Sequence, residues 1–262
     1  MISSNIENIF IAVIGSMIGS FIGMLSYRLP LSMDVVMKRS ACTKCNHTLG
    51  ALDLIPIFSW IISRGACRYC KETISPRYII IEIIAAFLSL YLYHKFALTM
   101  LGILYFMVSL SLLVLIITDL EHYIIPDSIQ IFLALAAIPI AIISHKSFTD
   151  LGIAALAGLT CGLLLKFGCI LIKKQDGFGW GDVKFMLVAG SYLGLSPLPI
   201  FFFIAGIIGI ITALIWQALK KGPIFPFGPA LAISMAICVI MPDLESKFTN
   251  YVVDITSFVI KI

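Results

Sequence analysis

"CILIKKQDGFGWGDVKFMLVAG", residues 169–190, sets two apolar runs either side of a polar knot with two aspartates and three glycines. The knot is unusual because so little of the chain is polar. Of 262 residues, 60% are hydrophobic and 12% charged, and the mean hydropathy is +1.07. A soluble domain carries roughly 25% charged residues. Apolar runs of helix-spanning length recur along the chain, which indicates a polytopic membrane protein. In lipid the backbone must satisfy its own hydrogen bonds, and these runs lack the alternation of a barrel strand, so the expected fold class is all-α.

Eight transmembrane helices are expected, near 7–28, 78–93, 97–118, 128–144, 151–172, 183–195, 199–219 and 229–242. The sixth and eighth are short. "MISSNIEN" carries no positive residue and leads into a run of spanning length, so the first helix is expected to be retained rather than cleaved as a signal. The chain divides into that helix (1–28), one sizeable extramembrane loop (29–77), a transmembrane core (78–242) and a tail (243–262) able to lie on the membrane surface. No low-complexity tract or internal repeat is evident.

Lysine and arginine set the orientation. With the amino terminus outside, 13 of the 18 basic residues fall in cytoplasmic segments, while the opposite loops hold only Lys95 and Lys146. Lys166, within the fifth span, is expected to snorkel to the surface. The net charge of +4 therefore reflects topology and contact with anionic lipid, and nucleic acid is not an expected partner. This orientation brings "TDLEHYIIPD" (118–127) and "GFGWGDVK" (177–184) to the cytoplasmic side.

Asp119, Glu121, Asp127, Asp176 and Asp182 are the carboxylates at that face. Asp176 follows Lys173 and Lys174 in an evident loop and reads as solvated. Asp119 and Asp182 abut apolar runs, where an ionisable group is costly and tends to be functional. Two facing aspartates do not both ionise readily; one keeps a proton and the other acts as base on a water. Gly177, Gly179 and Gly181 would let an extended substrate approach the backbone. That chemistry is aspartic proteolysis, but a proton-coupled secondary transporter also places paired carboxylates on a relay. Internal symmetry, frequent in transporters, is not found here. A scaffold without catalysis would leave the glycine–aspartate motif unexplained.

The loop holds Cys42-x2-Cys45 and, 21 residues on, Cys67-x2-Cys70, the spacing of a structural zinc site of four thiolates. A reducing cytoplasm disfavours the alternative of disulfides. His47 reads as a surface histidine, since four thiolates complete the shell. Cys161, Cys169 and Cys238 lie in apolar runs as small core residues.

"GWGD" (179–182) has the G-x-G-D form of membrane aspartyl proteases, and with "DLEHYIIPD" the chain resembles the bacterial type IV prepilin peptidases. "GSFIGMLSYRLP" (19–30), the paired cysteines, "IPIFSWIISRGACRYC" (55–70), "SPRYIIIEI" (75–83) and "FPFGPALA" (225–232) follow in the family's order. The resemblance implies that Asp119 and Asp182 are catalytic and that the enzyme lies in the bacterial inner membrane with its active site on the cytoplasmic side. It implies removal of the basic leader of type IV prepilins or pseudopilins after a glycine, in pilus assembly or type II secretion. It further implies N-methylation of the new amino terminus with S-adenosylmethionine as donor. Asp127 reads as the N-cap of the fourth span; Glu121 and His122 either tune Asp119 or serve structure alone. Gly23 stands where the family has an asparagine, a departure that touches the methylating region. Glu82 in the second span needs a partner, either a substrate amine or a structural bridge to Arg28 or Arg77.

Overall fold

The computed structural model describes residues 2–174, 177–222 and 225–241. Asp176 and the tail at 243–262 lie outside the described residues. Nine α-helices are found among them: α1 Ile2–Arg28, α2 Phe58–Ile62, α3 Arg77–Phe96, α4 Met100–His122, α5 Asp127–Ile143, α6 Phe148–Lys173, α7 Trp180–Leu193, α8 Leu198–Ala218 and α9 Gly228–Ile240. Each expected span coincides with a helix. Five of them, α1, α3, α4, α6 and α8, are long and apolar enough to cross a membrane by length and composition. α5, α7 and α9 have 17, 14 and 13 residues. At 1.5 Å per residue, 14 residues reach only about 21 Å of a roughly 30 Å hydrocarbon core.

The chain forms two compact units, Met1–Val114 and Leu115–Ile262. In the first, α1 lies along α3. A Cβ on Gly19 would stand 2.7 Å from the Ala85 Cβ, and one on Gly15 would strike the Ser89 hydroxyl. Gly15, Gly19 and Gly23 recur every four residues on one face of α1, the small-residue spacing that lets membrane helices approach closely. Gly23 ends this stripe; a Cβ there would sit 3.2 Å from the Tyr78 ring. The Ser89 hydroxyl donates across the seam to the Ile11 carbonyl at 3.1 Å.

Between α1 and α3 the loop is ordered by side chains as well as backbone. Arg28, 6% exposed, donates to the carbonyls of Asp34, Lys38 and Arg39. The Val36 and Met37 N–H groups donate to Asp34 Oδ1, and these bonds hold the Asp34 carboxyl below the usual carboxylate range. The Trp60 indole, from α2, donates to the Ile74 carbonyl at 3.3 Å.

In the second unit α7 packs on α6 with its backbone close to theirs. A Cβ on Gly158 would strike the Met186 carbonyl, and one on Gly190 the Ala154 carbonyl. Val183, Phe185, Met186 and Ala189 of α7 are buried, as are Ala230, Leu231 and Met235 of α9. The short α7 is thus sheathed by protein.

Candidate active site and metal centre

α4 runs four residues beyond its expected end. Asp119 and Glu121 are therefore helical, not part of a following loop, and the helix closes at Tyr123, whose N–H bonds the Asp119 carbonyl at 2.9 Å with φ at +57°. Asp119 is 6% exposed. Its Oδ2 accepts the Gly228 backbone N–H at 2.8 Å. Gly228 opens α9, ahead of Pro229. First-turn N–H groups have no acceptor within their own helix, so the positive end of α9 is free to hold a carboxylate. The approach is too close for a side chain: a Cβ on Gly228 would lie 2.7 Å from Asp119 Oδ2. Gly228 was quoted in the sequence only as part of an ordered motif, and no role fell to it there.

Asp182 lies in the first turn of α7, behind an N-cap at Gly179. Its carboxylate faces the Gly179 backbone and lies within electrostatic reach of Asp119 and Lys166. Its Oδ1 is buried with no hydrogen-bond partner among the described residues, which is the condition expected of an atom that binds a water or a substrate.

The two aspartate motifs meet at three further points. A Cβ on Gly181 would stand 3.0 Å from the Ile125 Cβ. Gln130 Nε2 donates to the Gly181 carbonyl at 3.4 Å. Lys184 Nζ bonds Asp127 Oδ1 and Oδ2 at 2.8 and 3.0 Å. This pair corrects the N-cap expected at Asp127. Pro126, with extended backbone, holds the cap position, and no side chain caps the helix. Asp127 is the first helical residue, and its carboxylate is drawn to Lys184 instead. Lys166 also departs from expectation: it is 2% exposed and turns inward, where its ammonium donates to the Phe178 carbonyl at 2.8 Å.

In the first unit, Glu82 is 7% exposed and its Oε2 accepts the Ile57 N–H at 2.7 Å. Of the arginines expected to bridge it, Arg28 is held by loop carbonyls and Arg77 Nη2 donates to Ser26 Oγ at 2.7 Å. The recorded contact of Glu82 is to backbone. Ile57 needs it: its φ of +64° is a left-handed conformation that a β-branched residue rarely adopts.

The four cysteine sulfurs lie within 4.8 Å of one another, with Cys42 and Cys70 at 3.8 Å. Thiolates around a tetrahedral zinc at about 2.3 Å sit about 3.8 Å apart, so the donor set fits zinc. The pair of loops is also a repeat, which corrects the expectation that none existed. "ACTKCNHT" (41–48) and "ACRYCKET" (66–73) form the same knuckle. Each is pinned by an isolated bridge, Ala41 to Thr48 and Ala66 to Thr73. Each turns through a left-handed residue after its second cysteine, Asn46 and Lys71. Backbone N–H groups of Cys45 and Lys44 lower the Cys42 thiol to about 7, while Cys70 is raised to about 11. His47 stacks on Tyr69, with ring centroids 3.6 Å apart, and is not a ligand in this arrangement.

Residues 13–96 match the bacterial peptidase A24 N-terminal domain, and residues 104–214 match the type IV leader peptidase family. A protein of Bacillus subtilis (strain 168) is 30% identical over 240 residues, covering 90% of this chain and 95% of its own. One of Aeromonas hydrophila is 28% identical over 265 residues, covering 90% and 91%. One of Stutzerimonas stutzeri is 27% identical over 261 residues, covering 88% and 89%. All three carry the name prepilin leader peptidase/N-methyltransferase. No solved structure matches the chain.

Proposed function

The chain belongs to the type IV leader peptidase family, and we propose that Asp119 and Asp182 are the catalytic pair with which it cleaves prepilin leader peptides. It is a peptidase that also N-methylates, and membership replaces the transporter reading. The observation that carries the assignment is the meeting of the two motifs around two carboxylates, Asp119 buried and fixed by the Gly228 N–H and Asp182 half-buried with an unpartnered buried oxygen.

In the proposed reaction one carboxyl carries the proton and the other is ionised. The ionised group takes a proton from a water, whose oxygen adds to the scissile carbonyl carbon. The protonated partner polarises the carbonyl oxygen, and a proton then passes to the departing amine. Cleavage follows a glycine, where the basic leader of a type IV prepilin or pseudopilin meets its apolar segment. Gly179 gives the extended substrate room beside Asp182, while Gly181 lets the turn pack closely on Ile125. The apolar segment stays in the bilayer of the inner membrane, and the leader lies on the cytoplasmic side with both aspartates, a reading that the charge asymmetry of the loops supports.

Cys42, Cys45, Cys67 and Cys70 would hold a structural zinc; it supplies folding energy to a loop too small for its own core. S-adenosylmethionine supplies the methyl group for the second activity. We assign Glu82 to that region: its carboxylate holds Ile57 in place and stands where an incoming amine would find a counter-charge. Incubating membranes with a prepilin tests the pair. Asp119→Asn and Asp182→Asn should each abolish the shortened product while the protein remains in the membrane. Undiminished cleavage by Asp119→Asn would overturn the assignment.

A further inference from the structure

Lys166 lies seven residues before the last residue of α6, within a helix apolar and long enough to cross a membrane. A lysine at the centre of such a helix costs about 2.5–3.5 kcal/mol on insertion scales, and Lys166 lies between that centre and the helix end. Lysines in that position reach for the interface. This one does not. Its ammonium donates to the Phe178 carbonyl at 2.8 Å and stands 4.8 Å from the centroid of the Trp180 ring, within cation–π range. It is also within electrostatic reach of Asp182. All these partners belong to "GFGWGD" (177–182), the turn that carries the second aspartate.

The turn has need of such a hold. α6 ends at Lys173, capped by Lys174 in the left-handed region, and α7 begins at Trp180. Among the described residues, a Cβ at Gly177 would meet nothing within 4 Å, so packing leaves room around that residue. Below the turn, α6 and α7 are locked by their glycine contacts. Lys166 reaches up from the locked part, grips one carbonyl within the turn and covers the ring that opens α7. Asp182 follows two residues after that ring.

We propose that Lys166 is a positioning residue for leader cleavage, tethering the Gly177–Trp180 turn to α6 so that the Asp182 carboxylate is held toward Asp119. The proposal rests on the assignment of Asp119 and Asp182 as the catalytic pair. Lys166 acts through the backbone and the ring and has no role in proton transfer. The partners named above, Phe178, Trp180 and Asp182, belong to the second unit, and methylation is assigned to the first, so methylation should not depend on this tether.

The test compares Lys166→Met, Lys166→Arg and Asp182→Asn in the full-length protein, with a prepilin for cleavage and an already shortened pilin for methylation. Met keeps the length of the stem and removes the donor and the charge. A misplacement of about 1 Å in a reacting group costs on the order of 100-fold, so Lys166→Met should lower the kcat of cleavage by about 10- to 100-fold, with KM and methylation little changed. Lys166→Arg, which can still donate to the carbonyl and stack on the ring, should recover most of that loss. Wild-type kcat in Lys166→Met, a loss confined to KM, an equal loss of cleavage and methylation, or no recovery in Lys166→Arg would each overturn the proposal. Asp182→Asn separates the two levels. If it still cleaves, the catalytic assignment has failed; if it is dead while Lys166→Met is normal, only the tether has.

Discussion

Asp119 is held from outside its own helix: the Gly228 N–H at the start of α9 donates to its carboxylate at 2.8 Å across 109 residues of sequence. The relationship depends on a missing side chain. With a methyl group at 228, Asp119 Oδ2 and Cγ would stand 2.7 and 2.9 Å away, and either the carboxylate or the helix must move. Gly228→Ala should therefore reduce prepilin cleavage by on the order of 100-fold while abundance in the membrane stays near normal. A quantitative cleavage assay alongside an immunoblot checks it; wild-type rates would show that the contact does not set the geometry.

A second missing side chain holds the first unit together. Gly19→Val would push two methyl groups beyond a Cβ that already falls 2.7 Å from the Ala85 Cβ and 3.0 Å from the Glu82 Cα. Overpacking typically costs about 1–3 kcal/mol, and here it also displaces the backbone beneath Glu82. The melting temperature in detergent should fall, and methylation should fall further than cleavage. Equal melting curves for the two proteins would place the α1–α3 seam elsewhere.

The proposed structural zinc would have its own signature. The purified protein should carry about one zinc per chain, and Cys67→Ser should lose it, since Cys67 is the buried member of the four at 4% exposure. After chelation at about pH 8, the thiols should be alkylated faster than in the metal-loaded protein, because a thiolate bound to the metal is not free to act as nucleophile. Metal-free protein from a zinc-replete preparation would end the assignment. Cys67→Ser should lose methylation or stability before it loses peptide cleavage, because no cysteine is assigned to proteolysis.

What was legible in the sequence follows a physical pattern. The helices were, because a membrane span needs a sustained apolar run whatever it packs against. The nearness of Asp119 and Asp182 was, because a carboxylate against such a run is expensive and needs company inside the protein. Gly228 was not: its contribution is the space where a Cβ would be, and sequence does not show what fills that space. Lys166 was misread because snorkelling depends on the direction of a long side chain, which a helix alone does not fix. Asp127 was misread because an aspartate after proline fits a cap, and its true partner Lys184 lies 57 residues away. The knuckle repeat escaped because its two copies share little beyond Ala, two Cys and Thr; backbone turns define the rest.

The proposed catalysis by a coupled pair has a consequence in double mutants. Asp119→Asn and Asp182→Asn keep nearly the shape of each side chain, but an amide is neither a general base nor a source of the shared proton. Each should lower cleavage by on the order of 100-fold or more, and the double variant should be no slower than either single one, since groups that act as a unit are not additive. Asp127→Asn is the control. It removes an ion pair whose side chains are 53% and 64% exposed, and such pairs contribute about 0–1 kcal/mol. Its rate should stay within about tenfold of wild type, a bound that follows from that energy. Single-turnover cleavage of a labelled prepilin by the four proteins decides the matter. If Asp127→Asn is as slow as Asp182→Asn and Asp119→Asn is not, the pair is Asp127 with Asp182, and the hold of Gly228 on Asp119 is structural alone.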